Sequence, residues 1–597
     1  MRFLHCPANL FVLFTYAVLS AAPVAPLLFR RTLENPERVI LLELVSWTLI
    51  WAIFKRPARF HWLLLPAFIA LPVELYLQTY YSQGISTHHI GIIAETSPRE
   101  ALEFLGNRTW LLAAAMLAVL AWWVLSWKAA LATRDLDMGK HWRAVTLVLL
   151  VLILCAWLYQ RGNGVRSATG DADDSVSAAT SGKPTPWFPG LPRWAELPVE
   201  RDTFGATWPF GLVVHIHAFW KERQYLAQLA DRSGGFKFGA SQAGASDLPQ
   251  VVVMVIGESS RHDRWSLNGY QRETNPLLKD EPNLVSLSNV VTAVSATRLS
   301  VPVLVSRKPA MQSLKAGFSE KSFLSAFREA GFKTYWLSNQ MSFGQFDTPI
   351  SVFAREADVT QFLNLGGFTN GSSFDAVLLD PLKVAIDDPA SKKLIVLHTL
   401  GNHWNYSHRY PQEFDKWQPS LFGIDKPAYT EAALKPQLNN SYDNSILYTD
   451  WFLSQVIGAL KSSTRIASMM YVSDHGQTLY DGTCNLAFHG HNTQYEFHIP
   501  ALVWYSDSYR QTHPTKITQL KKNRHAKLAT ENVFHSLLDM ADIRYDSEQL
   551  EWSFLDGRFK QHKRYVDSYG WTDYDNAIFK GDCREVIDKG KPLPRSE

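Results

Sequence analysis

The chain has 597 residues, with 59 Lys and Arg against 56 Asp and Glu for a formal charge of +3, and 46% of it is hydrophobic. That length exceeds one ordinary core, so at least two separately built units are expected, and a nearly neutral chain without a dense basic patch gives no reason to propose a nucleic-acid partner. The four cysteines form no CxxC pair or Cys/His knuckle, which leaves oxygen and imidazole as the main ligands for any metal.

Apolar residues crowd the first part of the chain. Five segments of about spanning length follow one another, from Leu10 to Leu28, Val39 to Phe54, Trp62 to Tyr80, Trp110 to Trp127 and Val145 to Tyr159. One such segment alone reads as a buried core helix; five in succession favour a bilayer, although the second is short and carries Glu43. The first is not expected to be a cleaved signal, because further spans follow it. Lys55, Arg56 and Arg59, and Lys128, Arg134, Lys140 and Arg143, mark cytoplasmic loops; the loop with Arg99 and Arg108 is less basic, and Arg30, Arg31 and Arg38 point the other way. Residues 1–160 are thus expected to form a five-helix transmembrane domain with everything after Tyr159 outside the cytoplasm, which in a bacterium is the periplasm. Trp122, Trp123, Trp127 and His141-Trp142 suit the headgroup zone. Glu43 and Glu74 are too few for the paired intramembrane charges of a transporter.

Residues 161–247 read as linker and interfacial helices. Gly162 to Pro192 has the Gly, Ser, Ala, Asp and Pro content of a linker, and Phe210 to Trp220 reads either as an amphipathic segment on the bilayer or as an ordinary packed helix.

From residue 248 to 597 the pattern changes. Val251 to Ile256, Leu394 to Leu397 and Met469 to Val472 are short continuous apolar runs, with helical patterns such as Ser322 to Ala330 and Tyr448 to Leu460 between them. Such strands, buried on both faces, predict an α/β domain with a mostly parallel sheet sandwiched by helices. Ligands of these sheets collect at the carboxyl edge. The residues after the three runs are Gly257-Glu258-Ser259-Ser260, His398-Thr399-Leu400-Gly401-Asn402-His403 and Ser473-Asp474-His475-Gly476. Glu258, Asp474, His475, His403 and His489 make a plausible zinc or manganese set. Singly each is more often a cap or a surface residue; their common place after strands favours ligation. His398 reads as a satisfied core histidine, and His491 and His498 as supporting or loop residues.

Ser295, Thr297 and Ser300 offer hydroxyls just before Pro302. Thr297 at a helix N-terminus would favour an alkoxide and an incoming phosphate, and metal coordination would lower its pKa, although a helix cap is the commoner role of such a residue.

Gly257-Glu258-Ser259-Ser260-Arg261, continuing through Ser266-Leu267-Asn268-Gly269-Tyr270-Gln271-Arg272-Glu273-Thr274-Asn275-Pro276, resembles the opening signature of the bacterial phosphoethanolamine transferases, membrane members of the alkaline phosphatase and sulfatase superfamily. Asn289-Val290-Val291 leading to Thr297 resembles their nucleophile segment and Ser473-Asp474-His475-Gly476 their metal motif; Arg409-Tyr410-Pro411, Tyr442-Asp443-Asn444 and Tyr448-Thr449-Asp450 match too. The similarity runs from the spans to about Asp542. It implies an alkaline phosphatase-like fold, one or two zinc ions on Glu258, Thr297, Asp474 and His475, and Thr297 as the residue that carries the phosphoryl group. His403 and His489 take the places of histidines that bind substrate phosphate or a second zinc, with His491 competing for the latter position. The implied donor is phosphatidylethanolamine and the implied acceptor an envelope glycan: lipopolysaccharide core, lipid A or a periplasmic glucan. The lipid A branch is rich in periplasmic disulfides, whereas only Cys484 and Cys583 are available here. Tyr335-Trp336-Leu337-Ser338-Asn339-Gln340 with Phe346-Asp347-Thr348 is more similar to the core-sugar and glucan branches.

The rival readings are a membrane-anchored periplasmic sulfatase or phosphodiesterase and an inactive metal-binding envelope protein. The sulfatase signature of Cys or Ser before xPxR is absent near Thr297, and the intact metal set argues against lost catalysis.

Overall fold

The computed structural model describes residues 6–25, 36–81, 84–95, 109–133, 136–162, 204–232, 235–243, 248–312, 320–341, 349–364, 374–424, 427, 429, 431–463 and 465–595. The linker reading over 163–192, the loop cations Arg30, Arg31, Arg99, Arg108 and Arg134, and Phe346 to Thr348 lie outside the described residues. The chain divides into one unit of residues 1–94 and 110–220 and another of residues 95–109 and 221–597. Residues 221–247 therefore group with the second unit. Two contacts account for this: Ser241 and Gln242 pair with Arg544 and Ile543, and Phe238 is buried in that unit's core.

In the first unit, helices α1 (Pro7–Ala21), α2 (Pro36–Phe54), α3 (Leu65–Tyr81), α4 (Thr109–Ala132) and α5 (Lys140–Gly162) occupy the five apolar segments. Among the described residues, three stretches are long and apolar enough to cross a membrane: Pro7–Val24, Pro57–Gln78 and Thr109–Ala132. Val12, Tyr16, Leu19, Phe60 and Phe68 pack inside the unit, while Trp110, Leu117, Leu125 and Val148 lie on its outside. So many exposed large apolar side chains fit lipid better than water. Glu43 of α2 is buried and accepts the backbone N–H of Trp208 at 3.0 Å, which explains a carboxylate inside an apolar helix. The segment read as interfacial is the start of helix α6 (Gly211–Arg232).

The second unit is built on strands β1 (Gln250–Gly257), β2 (Leu284–Val291), β3 (Lys333–Met341), β4 (Val359–Asn364), β5 (Lys392–His398) and β6 (Ile466–Ser473). A two-residue ladder, β7 (Thr478–Leu479) with β8 (Ala487–Phe488), follows, and then β9 (His498–Tyr505) and β10 (Leu528–Ala529). Eight of these form one sheet in the order β10-β2-β9-β6-β1-β5-β3-β4. It is mostly parallel as expected; β9 alone runs antiparallel to its neighbours β2 and β6. Along β1, Val252, Met254 and Ile256 face one core and Val251, Val253 and Val255 the other, so the apolar run is continuous because both faces are covered. Helices α7 (Thr297–Val305), α8 (Phe323–Glu329) and α11 (Glu531–Met540) supply the first core. The second takes side chains of α9 (Leu379–Asp387) and α10 (Lys435–Ser462).

Helix α10 begins well before the apolar pattern at Tyr448, because its first half is buried through polar contacts. Asp443 accepts Tyr270 Oη at 2.8 Å, Arg272 Nη1 at 2.8 Å and Arg264 Nη1 at 3.1 Å, and Asp450 accepts the backbone N–H groups of Leu277 and Leu278 at 2.9 and 3.1 Å. The long signature from Ser266 to Pro276 is thus a clasp onto α10.

Burial pushes the Asp450 carboxyl up to about 7. Asp450 therefore keeps its proton to higher pH in the folded chain than in the unfolded one, so stability is greatest below the unfolded pKa and is lost as pH rises from about 4 to about 7. Thermal unfolding of the full chain in detergent is expected to show that decline, and Asp450→Asn to flatten part of it; an unchanged slope would count against the assignment.

Candidate metal centre and nucleophile

Four strand ends and one helix start meet at the carboxyl edge. Glu258 follows β1, Gln340 lies near the end of β3, His403 is in the turn after β5, and Asp474 and His475 follow β6. Thr297 is the first residue of α7, preceded by Ala296 with no side-chain cap. The dipole end and first N–H groups of α7 are thus at the hydroxyl that would hold a phosphoryl group.

Thr297 Oγ1 donates to Glu258 Oε2 at 3.0 Å and lies 3.2 Å from His475 Nε2. His475 Nε2 is 3.5 Å from both Glu258 Oε1 and Asp474 Oδ2. Ligand atoms of Glu258, Asp474 and His475 all fall within 4.8 Å of one another, and the three residues are buried. Burial, and then the neighbouring Asp474, hold the Glu258 carboxyl well above the ordinary carboxylate range. Asp474 Oδ1 accepts the N–H groups of Ser259 at 2.9 Å and His475 at 2.6 Å, whereas Oδ2 is buried without a hydrogen-bond partner. His475 Nδ1 bonds the Gly476 carbonyl at 2.8 Å, which fixes the tautomer and leaves the Nε2 lone pair facing the same space as the carboxylate oxygens. Two adjacent buried carboxylates, one with an unpaired oxygen, and one imidazole nitrogen are a donor set that fits a zinc ion.

His403 Nδ1 bonds the Trp404 carbonyl at 2.6 Å, and burial lowers its pKa to about 4. The His489 ring stands 4.5 Å from that of His475. His489 thus stands beside the cluster, and His403 is near enough to sense the charges of His475 and Asp474. His491 Nε2 bonds Ala487 O at 2.9 Å, and His498 Nε2 bonds Ser288 O at 3.3 Å. His398 is fully buried but only half satisfied: Nδ1 is 3.4 Å from Ser338 Oγ, and Nε2 has no partner.

Four residues that hold the site escaped the sequence. Gln340 Nε2 donates to Glu258 Oε2 at 3.3 Å and to Thr399 O at 2.8 Å. Asp375 accepts Leu400 N at 2.8 Å, Gly401 N at 2.9 Å and Asn339 Nδ2 at 2.9 Å, tying down the turn that leads to His403. Glu496 does the same beyond His489, through Gly490 N at 2.9 Å and His491 N at 3.0 Å. Tyr442 Oη donates to Ser259 O at 2.6 Å and accepts Arg261 N at 2.9 Å, clasping the Glu258 turn. Tyr442 and Gln340 stand in motifs already singled out, but nothing in their spacing gives these contacts. Gly401 has φ +46°, and a Cβ there would meet Glu258 O at 2.8 Å and N at 2.9 Å, so only glycine lets this turn lie against Glu258.

Cys484 and Cys583 form the one disulfide open to this half, joining the loop before His489 to the chain beyond residue 543. Gln494 N to Arg584 O and Val586 N to Asn492 O, each 2.9 Å, fasten the far side of the same loop.

The sulfatase family matches residues 250–543. Phosphoethanolamine transferase EptC of Escherichia coli K12 is 30% identical over 347 residues, which is 55% of this chain and 58% of the relative, so the match spans under two thirds of its length. The crystal structure of the C-terminal periplasmic domain of E. coli EptC in complex with Zn superposes with TM-score 0.51 at 27% identity, covering 60% of this chain and 98% of that one. The integral membrane lipooligosaccharide phosphoethanolamine transferase A of Neisseria meningitidis has TM-score 0.63 at 19% identity, over 92% and 97%, and shares the fold of both halves.

Proposed function

We propose, from the sulfatase-family match over residues 250–543 and the likeness to phosphoethanolamine transferases, that the chain moves phosphoethanolamine from phosphatidylethanolamine to an envelope glycan through Thr297. The observation that carries this reading is the Thr297 hydroxyl within 3.0 Å of Glu258 and 3.2 Å of His475, at the start of an uncapped helix.

Glu258, Asp474 and His475, with Thr297, would hold zinc. Zinc so bound supplies a lowered hydroxyl pKa and a counter-charge for the phosphoryl oxygens. Thr297 Oγ1 gives up its proton and attacks phosphorus, and the diacylglycerol oxygen leaves with the bonding pair and takes a proton. The first N–H groups of α7 bind the phosphoryl oxygens. A glycan hydroxyl or phosphate then displaces Thr297, which recovers its proton. Two in-line displacements retain configuration at phosphorus. His403, kept neutral at physiological pH by its lowered pKa and with Nδ1 bonded to Trp404 O, offers Nε2 as an acceptor, while His489, beside His475, is suited to face the phosphoryl group and take or return a proton. On this reading the chain is anchored in the bacterial inner membrane and its catalytic unit works in the periplasm on a donor whose scissile bond lies at the headgroup layer; the three described stretches long and apolar enough to cross a membrane support it.

Mass spectrometry of envelope glycans from cells with and without the chain tests this reading. One added phosphoethanolamine unit on a core sugar, lipid A or periplasmic glucan is expected; its absence from every fraction rejects the activity, and free phosphoethanolamine in its place points to a phosphodiesterase.

A further inference from the structure

Among the residues around the metal cluster, Phe488 has the backbone that fits its side chain least. Its φ is +80°, a left-handed conformation that a bulky side chain rarely adopts. Strain of this kind persists where surrounding structure enforces it, and here a short ladder does so: Phe488 pairs with Thr478, three residues after His475. Thr478 Oγ1 donates to Glu496 Oε1 at 2.7 Å, and Glu496 also holds Gly490 N, so the ladder is fixed from both sides.

The ring positions give that strain a consequence. Neighbouring residues of an extended strand point to opposite faces, so their side chains do not stack. The left-handed turn at Phe488 breaks the alternation, and the rings of Phe488 and His489 stack at 4.3 Å with 29° between their planes. On the other side Tyr429, buried, stacks on Phe488 at 4.9 Å, also at 29°. The ladder of rings runs Tyr429, Phe488, His489 and ends on His475 at 4.5 Å.

We propose that Phe488 is the positioning residue for His489: its left-handed backbone and its ring, wedged between Tyr429 and His489, set the imidazole beside the metal cluster. Phe488 itself touches neither substrate nor metal. The activity consequence rests on the transfer reading above, in which His489 faces the phosphoryl group; the placement of the ring does not.

The test is a double-mutant cycle on the zinc-loaded full chain, following headgroup transfer from vesicles containing phosphatidylethanolamine. Phe488→Leu is expected to lower kcat about tenfold in the parent and less than about twofold when His489 is already alanine, because a residue acting through another loses its effect with that partner. Phe488→Tyr, which keeps the ring, is expected to stay within about twofold of the parent. Equal losses in both backgrounds would mean a general structural role and overturn the proposal. A second measurement does not depend on transfer: the rate at which diethyl pyrocarbonate modifies His489, read by peptide mass spectrometry. It is expected to rise severalfold in Phe488→Leu as the stacked ring comes free, and an unchanged rate overturns the proposal. Absence of transfer by the parent chain would reject the proposed function, while the labelling rate still decides the role of Phe488.

Discussion

A Thr297→Ala chain is expected to lose at least about 10³-fold of its transfer activity, roughly 4 kcal/mol of transition-state stabilisation, and to trap no phosphoethanolamine adduct on the protein. The loss is large because the hydroxyl, at the start of α7, reaches both Glu258 and His475. Ser300, one turn on, is buried and sends its Oγ back to the Thr297 carbonyl at 3.4 Å, so it offers no second nucleophile. Brief exposure to a donor labelled in its headgroup, followed by denaturation and peptide mass spectrometry, should find the label on the peptide containing Thr297 in the parent and nowhere in the variant. Label elsewhere in both chains, or full transfer by Thr297→Ala, would sink the covalent route while leaving the fold untouched.

Asp474→Asn is expected to separate stability from function. In the metal-free chain the Asp474 and Glu258 carboxylates sit together in a buried site, and Asp474 Oδ2 has no partner. An asparagine keeps the Oδ1 acceptor used by Ser259 and His475, and its amide can donate to Glu258 where Oδ2 had nothing to offer. With the Glu258 carboxyl already pushed towards its neutral form by burial and by Asp474, replacing the buried Asp474 carboxylate with a neutral amide should raise the melting temperature of the metal-free chain by about 2–5 °C. Zinc is expected to stabilise the parent by binding only the folded state, and most of that increment should vanish in the variant along with about 10³-fold or more of the activity. Differential scanning calorimetry of both chains, with chelator and with zinc, reads all four corners. A metal-free variant less stable than the parent, or one that keeps the full zinc increment, would show that Asp474 is held for another reason.

The clasp of Tyr270, Arg264 and Arg272 on Asp443 bears on how signatures are read. Tyr270 and Arg272 belong to the longest recognisable motif in the chain and Arg264 lies in the gap within it, and all three fasten α10 to the segment after Glu258. Tyr442, on the same helix, completes the link by holding both Ser259 O and Arg261 N. A specific sequence pattern can therefore mark the frame of a site as well as its chemistry.

Local pattern by itself determined the two-part plan, the five apolar segments, the doubly covered sheet and the delivery of Glu258, Asp474 and His475 to one edge. Each of these is set by residues close together in the chain: a run of valines whose neighbours on both faces must be apolar, or a polar turn that must follow it. Thr297 at a helix start was legible for the same reason. Tertiary structure alone decided what holds those groups. The polar half of α10 is buried against the signature, Asp375 and Glu496 anchor turns from distant positions, and Phe488 adopts a backbone its side chain opposes. Cys583 closes on Cys484 from 99 residues away. The periodicity of a segment records which of its faces is apolar, but a buried carboxylate or a left-handed aromatic is stable only through partners brought to it by folding, and those partners leave no mark at its own position in the sequence.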